Sequence, residues 1–154
     1  MSSEVRAGDR RCIFITGAAS GIGRATARLF CARRWFVGAF DLDEAGLAAL
    51  EQEHGAEHCL VRRLDVADKA DFDRAMAAFS VATGGRLDLL FNNAGIGAGG
   101  WFEDVPYEVA RRVLDVNFVG VVNGVYAAIP LLQRTPNCLC FSTSSSAALY
   151  GMPR

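Results

Sequence analysis

The residues best suited to chemistry by type and spacing are Thr16-Gly17-Ala18-Ala19-Ser20-Gly21-Ile22-Gly23, between a short apolar stretch and an amphipathic one. Glycines at a strand-to-helix junction permit a tight turn, let a pyrophosphate approach the backbone, and let the helix pack closely on the strand. The unpaired N–H groups and the positive dipole end of the helix then favour a phosphate. A purely structural turn would use glycine too, so position decides. A strand precedes, a helix follows, and Asp41 closes the next apolar run eighteen positions beyond Gly23. A carboxylate there can accept hydrogen bonds from both hydroxyls of a ribose; its competing role is a helix cap shared with Asp43. Two further features have chemical potential. Asn117 falls inside a long apolar pattern, where an amide is costly unless it is satisfied. The hydroxylic run Ser142–Ser146 follows a late apolar stretch.

These groups must be held by regular elements, and the pattern supplies them. Strands are predicted over Arg11–Thr16, Trp35–Phe40, His58–Leu64, Leu87–Asn92 and Asn137–Ser142. Helices are predicted from Gly21 to Arg34, from Glu44 to Glu53, and from an Asp68 cap to about Ala82. Pro106 suits the first turn of a short helix, and a long apolar helix spans about Val113 to Leu132. Apolar strands alternating with helices indicate an α/β fold, a doubly wound parallel sheet of the Rossmann-like kind. Residues 1–10 read as a flexible tail, and 11–154 as one dinucleotide-binding domain that stops after the fifth strand.

Composition narrows the classes. Of 154 residues, 51% are hydrophobic and 21% charged, which suits a globular domain with a core. A net charge of −1 gives no footprint for nucleic acid or an anionic membrane. Unbroken apolar stretches such as Val119–Val122 and Leu87–Phe91 are too short to span a bilayer, and Met1–Arg11 has no secretory core. A cytoplasmic location is therefore expected. The five cysteines read as buried, reduced thiols, with no CxxC pair. Cys138 and Cys140 would point to opposite faces of a strand, and His54 and His58 read as surface residues, so no metal is expected.

In order along the chain, TGxxxGIG at Thr16–Gly23, Asp41, Asp65-Val66, Asn92-Asn93-Ala94-Gly95, Asn117 and the serine run resemble the short-chain dehydrogenase/reductase family. The resemblance covers nearly everything from Arg11 to Pro153. It implies an oxidoreductase moving hydride between NAD(H) and an alcohol or carbonyl substrate, without nucleic acid or membrane partners. Gly17, Ser20, Gly21, Ile22 and Gly23 would hold the pyrophosphate. Asp41 would grip the adenine ribose and repel a 2′-phosphate, which favours NAD over NADP. Asp65 would face the adenine amino group with the Val66 backbone close by. Asn93, Ala94 and Gly95 would pass beneath the cofactor, with Asn93 bracing the sheet.

For catalysis the resemblance implies Ser145, counted back from Gly151 and Pro153 to within one position, as the group that orients the substrate. Ala148 stands where a glycine is usual. Asn117 would support a helix distortion and a water in a proton relay. The family's Tyr-x-x-x-Lys would place its tyrosine near position 158, beyond Arg154, and Tyr150 does not replace it. A truncated oxidoreductase is thus the expectation, with a catalytically inactive dinucleotide- or partner-binding module as the alternative. Met152 and the loop Ile96–Trp101 would line the near side of an apolar substrate. Family members pair through the long helix, so a homo-oligomer through 113–132 is open.

Overall fold

The computed structural model describes residues 10–146 and 149. Its elements run β1 (Cys12–Thr16), α1 (Gly21–Ala32), β2 (Phe36–Asp41), α2 (Glu44–His54), β3 (Cys59–Arg63), α3 (Lys69–Thr83), β4 (Leu89–Asn92), a 3-10 turn (Phe102–Asp104), α4 (Tyr107–Leu114), a π-helical turn (Asp115–Val119), α5 (Gly120–Leu132) and β5 (Leu139–Ser142). The five strands form one sheet in the order β3-β2-β1-β4-β5, every neighbouring pair parallel. The chain moves outward from β1 through β2 to β3, then restarts on the other side of β1 with β4. This reversal opens a crevice at the carboxyl ends of β1 and β4, where such sheets bind their ligands. The fold is the doubly wound α/β architecture expected from the alternation of short apolar runs and helices.

Strand β1 is buried along its whole length because it is central and covered on both faces. Its alternate side chains feed two cores, as the two-residue period of a strand requires. Cys12 and Phe14 join Phe40, Phe72, Phe79, Leu90 and Val116 on one side. Ile13 and Ile15 join Val37, Ala39, Leu47, Leu50 and Phe91 on the other. Helices α2 and α3 start where aspartates cap them: Asp43 accepts from the Gly46 amide and Asp68 from the Asp71 amide. Asp43, and not Asp41, therefore caps α2. At the amino end of the sheet the buried Asp88 carboxylate accepts from the Cys12 amide at 2.8 Å and from Arg86 Nε and Nη2, each at 2.8 Å. Burial raises the Asp88 carboxyl, but the Arg86 guanidinium and the Cys12 amide outweigh it and hold it below the usual carboxylate range.

Three expectations are corrected. The long helix begins at Tyr107 rather than Val113 and is continuous to Leu132, with the π-helical turn in its middle. Pro106 stands just before its first turn. This 26-residue run is long and apolar enough to cross a bilayer by length and composition. A search for unbroken apolar stretches misses it because Arg111, Arg112, Asp115, Asn117 and Asn123 interrupt the pattern. Here it lies against the sheet: Ala128 and Leu131 are buried, and Asn123 donates to the Val66 carbonyl at 2.9 Å. Second, the cysteines are not uniformly buried. Cys12 and Cys59 are, Cys31 and Cys138 are half-buried, and Cys140 is exposed on β5. Third, His54, beside Glu53, and His58 are half-buried rather than on the surface. Strand β5 is exposed at all four of its residues.

Candidate functional site

A cleft of about 850 Å³ opens at the carboxyl ends of the strands. Most of its wall comes from residues at or just past the ends of strands, where the chain leaves the sheet. Gly17, Ser20, Gly21 and Ile22 follow β1; Asp41 ends β2 and Leu42 follows it; Leu64, Asp65 and Val66 follow β3; Asn93, Ala94, Gly95 and Ile96 follow β4. Arg112 and Val116 reach in from α4 and the π-helical turn, and Thr143 from just past β5.

The turn after β1 is built around two glycines. Gly17 has φ +67°, and a Cβ on it would lie 2.8 Å from Ala94 Cα, so both its conformation and its contact exclude a side chain. Gly23 lies behind the cleft and does not line it. A Cβ there would sit 2.7 Å from the Gly17 carbonyl carbon and 2.8 Å from Asn93 Nδ2. Helix α1 can therefore start directly against the turn. Unlike α2 and α3, it has no side-chain cap and no acidic residue in its first turn. The amides of that turn have no acceptor within the helix, and the helix dipole is uncompensated at the cleft.

Asp41 faces the same turn. Its Oδ2 accepts from the Ala19 amide at 2.9 Å and its Oδ1 from the Asp43 amide at 3.0 Å, so the carboxylate ties the end of β2 to the loop after β1. The Asn92-Asn93-Ala94-Gly95 segment is tied across the switch point. The buried Thr16 hydroxyl accepts from the Asn93 and Ala94 amides, each at 3.0 Å. Asn93 Nδ2 donates to the carbonyls of Thr16 and Gly17 at 3.1 and 3.3 Å, and its Oδ1 accepts from the Thr143 hydroxyl at 3.2 Å. One side chain thus spans β1, β4 and β5 at the cleft floor.

Of the residues singled out from sequence, Gly17, Ser20, Gly21, Ile22, Asp41, Asp65, Val66, Asn93, Ala94 and Gly95 all line this cleft. Asn117 does not line it but grips its rim: Oδ1 accepts from the Ile96 amide and Nδ2 donates to the Ile96 carbonyl, both at 2.8 Å. It does so from within the π-helical turn, where the i→i+5 pattern locally rotates the helix face. Ser145 lies on the exposed segment after β5 and is not among the cleft-lining residues; Thr143, two positions earlier, is. Tyr150, Gly151, Met152, Pro153, Ala148 and the tail residues 1–9 lie outside the described residues.

Leu42, Leu64, Val116, Thr143 and Arg112 are cleft residues that reading the sequence missed. The first two adjoin Asp41 and Asp65, so simple adjacency could have found them. Arg112 stands one helical turn before Val116 and shares its face. Its guanidinium pairs with both Asp65 oxygens at 2.9 Å, and only a three-dimensional arrangement could have shown that.

Residues 11–154 match the short chain dehydrogenase family. The chain belongs to the short chain dehydrogenase family. It is 42% identical over 139 residues to a Mycobacterium tuberculosis protein named probable oxidoreductase EphD, covering 88% of this chain and 23% of that one. To 2-(R)-hydroxypropyl-CoM dehydrogenase of Xanthobacter autotrophicus it is 34% identical, over 93% of this chain and 59% of that one. The chain thus spans between about a quarter and three fifths of these relatives. Among solved structures, a short chain dehydrogenase/reductase of Burkholderia phymatum in complex with NAD superimposes with a TM-score of 0.88 at 33% identity, over 96% of this chain and 53% of that one. A 3-ketoacyl-(acyl-carrier-protein) reductase of Brucella melitensis complexed with NADH gives 0.84 at 32% identity, over 94% and 60%.

Proposed function

We propose that this chain forms the NAD-binding part of an oxidoreductase that moves hydride between NAD(H) and the carbon of an alcohol or carbonyl substrate. The observation that carries the reading is the cleft itself. It joins an uncapped helix N-terminus, entered through a glycine turn, to a carboxylate, Asp41, at the end of the neighbouring strand. The fit to a dinucleotide is supported by the close packing at Gly17 and Gly23, where a Cβ would force the turn away from Ala94 and from the start of α1. The relatives complexed with NAD and NADH, and the one named a dehydrogenase, point the same way.

In this reading the amides from Ser20 to Gly23 hold the pyrophosphate, Asp41 accepts from the adenine ribose hydroxyls, and Leu42, Leu64 and Val66 flank the base. Asn93 to Gly95 carry the nicotinamide half, with Asn117 fixing Ile96 at its edge. The nicotinamide supplies the hydride chemistry; the chain supplies position, charge and exclusion of water. Ser145 would donate a hydrogen bond to the substrate oxygen and orient it, from the segment two positions past the cleft residue Thr143.

Asp41 makes the cofactor choice testable. In the full-length protein, titrated by the fluorescence of the reduced nicotinamide, NADH is expected to bind at least ~10-fold more tightly than NADPH, since a carboxylate and a 2′-phosphate repel. Asp41→Ala should shrink that ratio. Equal affinities in the unsubstituted protein would remove Asp41 from the argument.

A further inference from the structure

Arg112 is the single cationic residue that lines the cleft among the described residues, beside two carboxylates, Asp41 and Asp65. Its Nη2 donates to both Asp65 oxygens at 2.9 Å, across 47 positions of sequence. The neighbouring Arg111 is turned away, its Nε donating to Asp115 at 2.9 Å. Asp65 is further pinned by its own turn: Oδ1 accepts from the Ala67 amide at 3.0 Å, and the Asp65 amide donates to Asp71 at 2.9 Å.

The two oxygens of that carboxylate are therefore unequal. Oδ1 serves two donors, whereas the hydrogen bonds formed among the described residues give Oδ2 only Arg112. A carboxylate oxygen has two lone-pair directions, so Oδ2 retains one, beside Leu64 and Val66 at the cleft wall. Without the guanidinium, the Ala67 amide would still hold Oδ1, but among the described hydrogen bonds none would remain to fix Oδ2.

We infer that Arg112 is a positioning residue which locks the Asp65 carboxylate as an acceptor for an exocyclic amino group, so that the cleft selects a 6-aminopurine over a 6-oxopurine. This rests on the dinucleotide reading of the cleft. A 6-oxopurine presents a carbonyl oxygen where the 6-aminopurine presents N–H, and two acceptors then face each other across the same gap. A site built on a hydrogen bond rejects the analogue lacking it more strongly than an apolar wall can. Selection would come from Asp65, and its sharpness from Arg112.

The experiment titrates the full-length protein with NADH and with reduced nicotinamide hypoxanthine dinucleotide, which differs only in carrying oxygen for the amino group. The variants are Arg112→Met, which keeps the stem and removes the guanidinium, and Arg112→Lys, which keeps the charge on a shorter, non-planar donor. The unsubstituted protein is expected to favour NADH by ~10-fold or more. Arg112→Met should lose most of that ratio, chiefly through weaker NADH binding, and Arg112→Lys should restore part of it. A ratio unchanged in Arg112→Met overturns the inference, even if both ligands bind more weakly. Equal weakening would mark a general charge effect on an anionic ligand. Arg112→Leu, which likewise removes the guanidinium, provides the same reading should Arg112→Met fail to fold. If the unsubstituted protein binds neither dinucleotide, the reading of the cleft fails and this inference with it. If it binds both equally, only this inference fails.

Discussion

Gly23→Ala adds a single methyl group and tests how the helix N-terminus meets the turn. The new Cβ would lie 2.7 Å from the Gly17 carbonyl carbon and 2.8 Å from Asn93 Nδ2, and closer still to the Gly17 oxygen. Ordinary contacts begin near 3.4 Å, so the start of α1 and the turn must separate by at least about 0.7 Å. Neither neighbour can yield cheaply. Gly17 is backbone held at φ +67°, and Asn93 Nδ2 is spent on the Thr16 and Gly17 carbonyls. Overpacking of this kind costs ~1–3 kcal/mol, while alanine regains ~1 kcal/mol of helix propensity at most. The clash should win by up to ~2 kcal/mol, lowering Tm by up to roughly 8 °C. The functional loss should be larger, because the shift moves the amides that would face the pyrophosphate; NADH affinity should fall by ~10-fold or more. Gly97→Ala is the control: a Cβ there meets nothing within 4 Å, so Tm and affinity should both stay near those of the unsubstituted protein. Thermal unfolding and fluorescence titration of the three proteins decide it. Should Gly23→Ala keep its Tm and bind NADH within twofold of the unsubstituted protein, the close-approach argument is wrong.

Asn117→Ala should release Ile96, whose amide and carbonyl both bond to that side chain at 2.8 Å, at a cost of ~1–2 kcal/mol. Hydrogen exchange at the Ile96 amide should quicken; unchanged protection there would mean that the rim is held by something else. Asp88 makes the amino end of the sheet sensitive to acid. Its native carboxyl lies below its unfolded value, so its stabilisation is full above about pH 4 and is lost as pH falls through the depressed native pKa. Asp88→Asn should therefore cost ~2 kcal/mol at pH 7, and the gap should narrow in urea melts at pH 3. Cys12 acts at the opposite extreme. Burial, and then the Asp88 charge, push its thiol up to about 11. Above about pH 9 the unfolded chain gives up a proton that the native state keeps, so stability falls with rising pH and Cys12→Ala should flatten that fall.

The legible half of this protein is local. The turn after β1, the caps of α2 and α3 at Asp43 and Asp68, and Asp41 at the end of β2 each depend on residues within a few positions of one another. Hydrophobic alternation told where strands and helices lie, because the period of a buried face is written along the chain. The same period says which face of a helix is covered but not by what. Only the packed sheet places β4 against β1, which brings Thr16 to the amides of Asn93 and Ala94 across more than seventy residues. Folding back α4 sets Arg112 on Asp65, and the π-helical turn aims Asn117 at Ile96. Ser145 stayed harder to place, since five consecutive hydroxylic residues give a strand end no distinguishing pattern. The sequence by itself determined which groups could meet a dinucleotide. Their mutual orientation came from the tertiary structure, because hydrogen-bond direction and close approach are relations between elements, and no single element carries them.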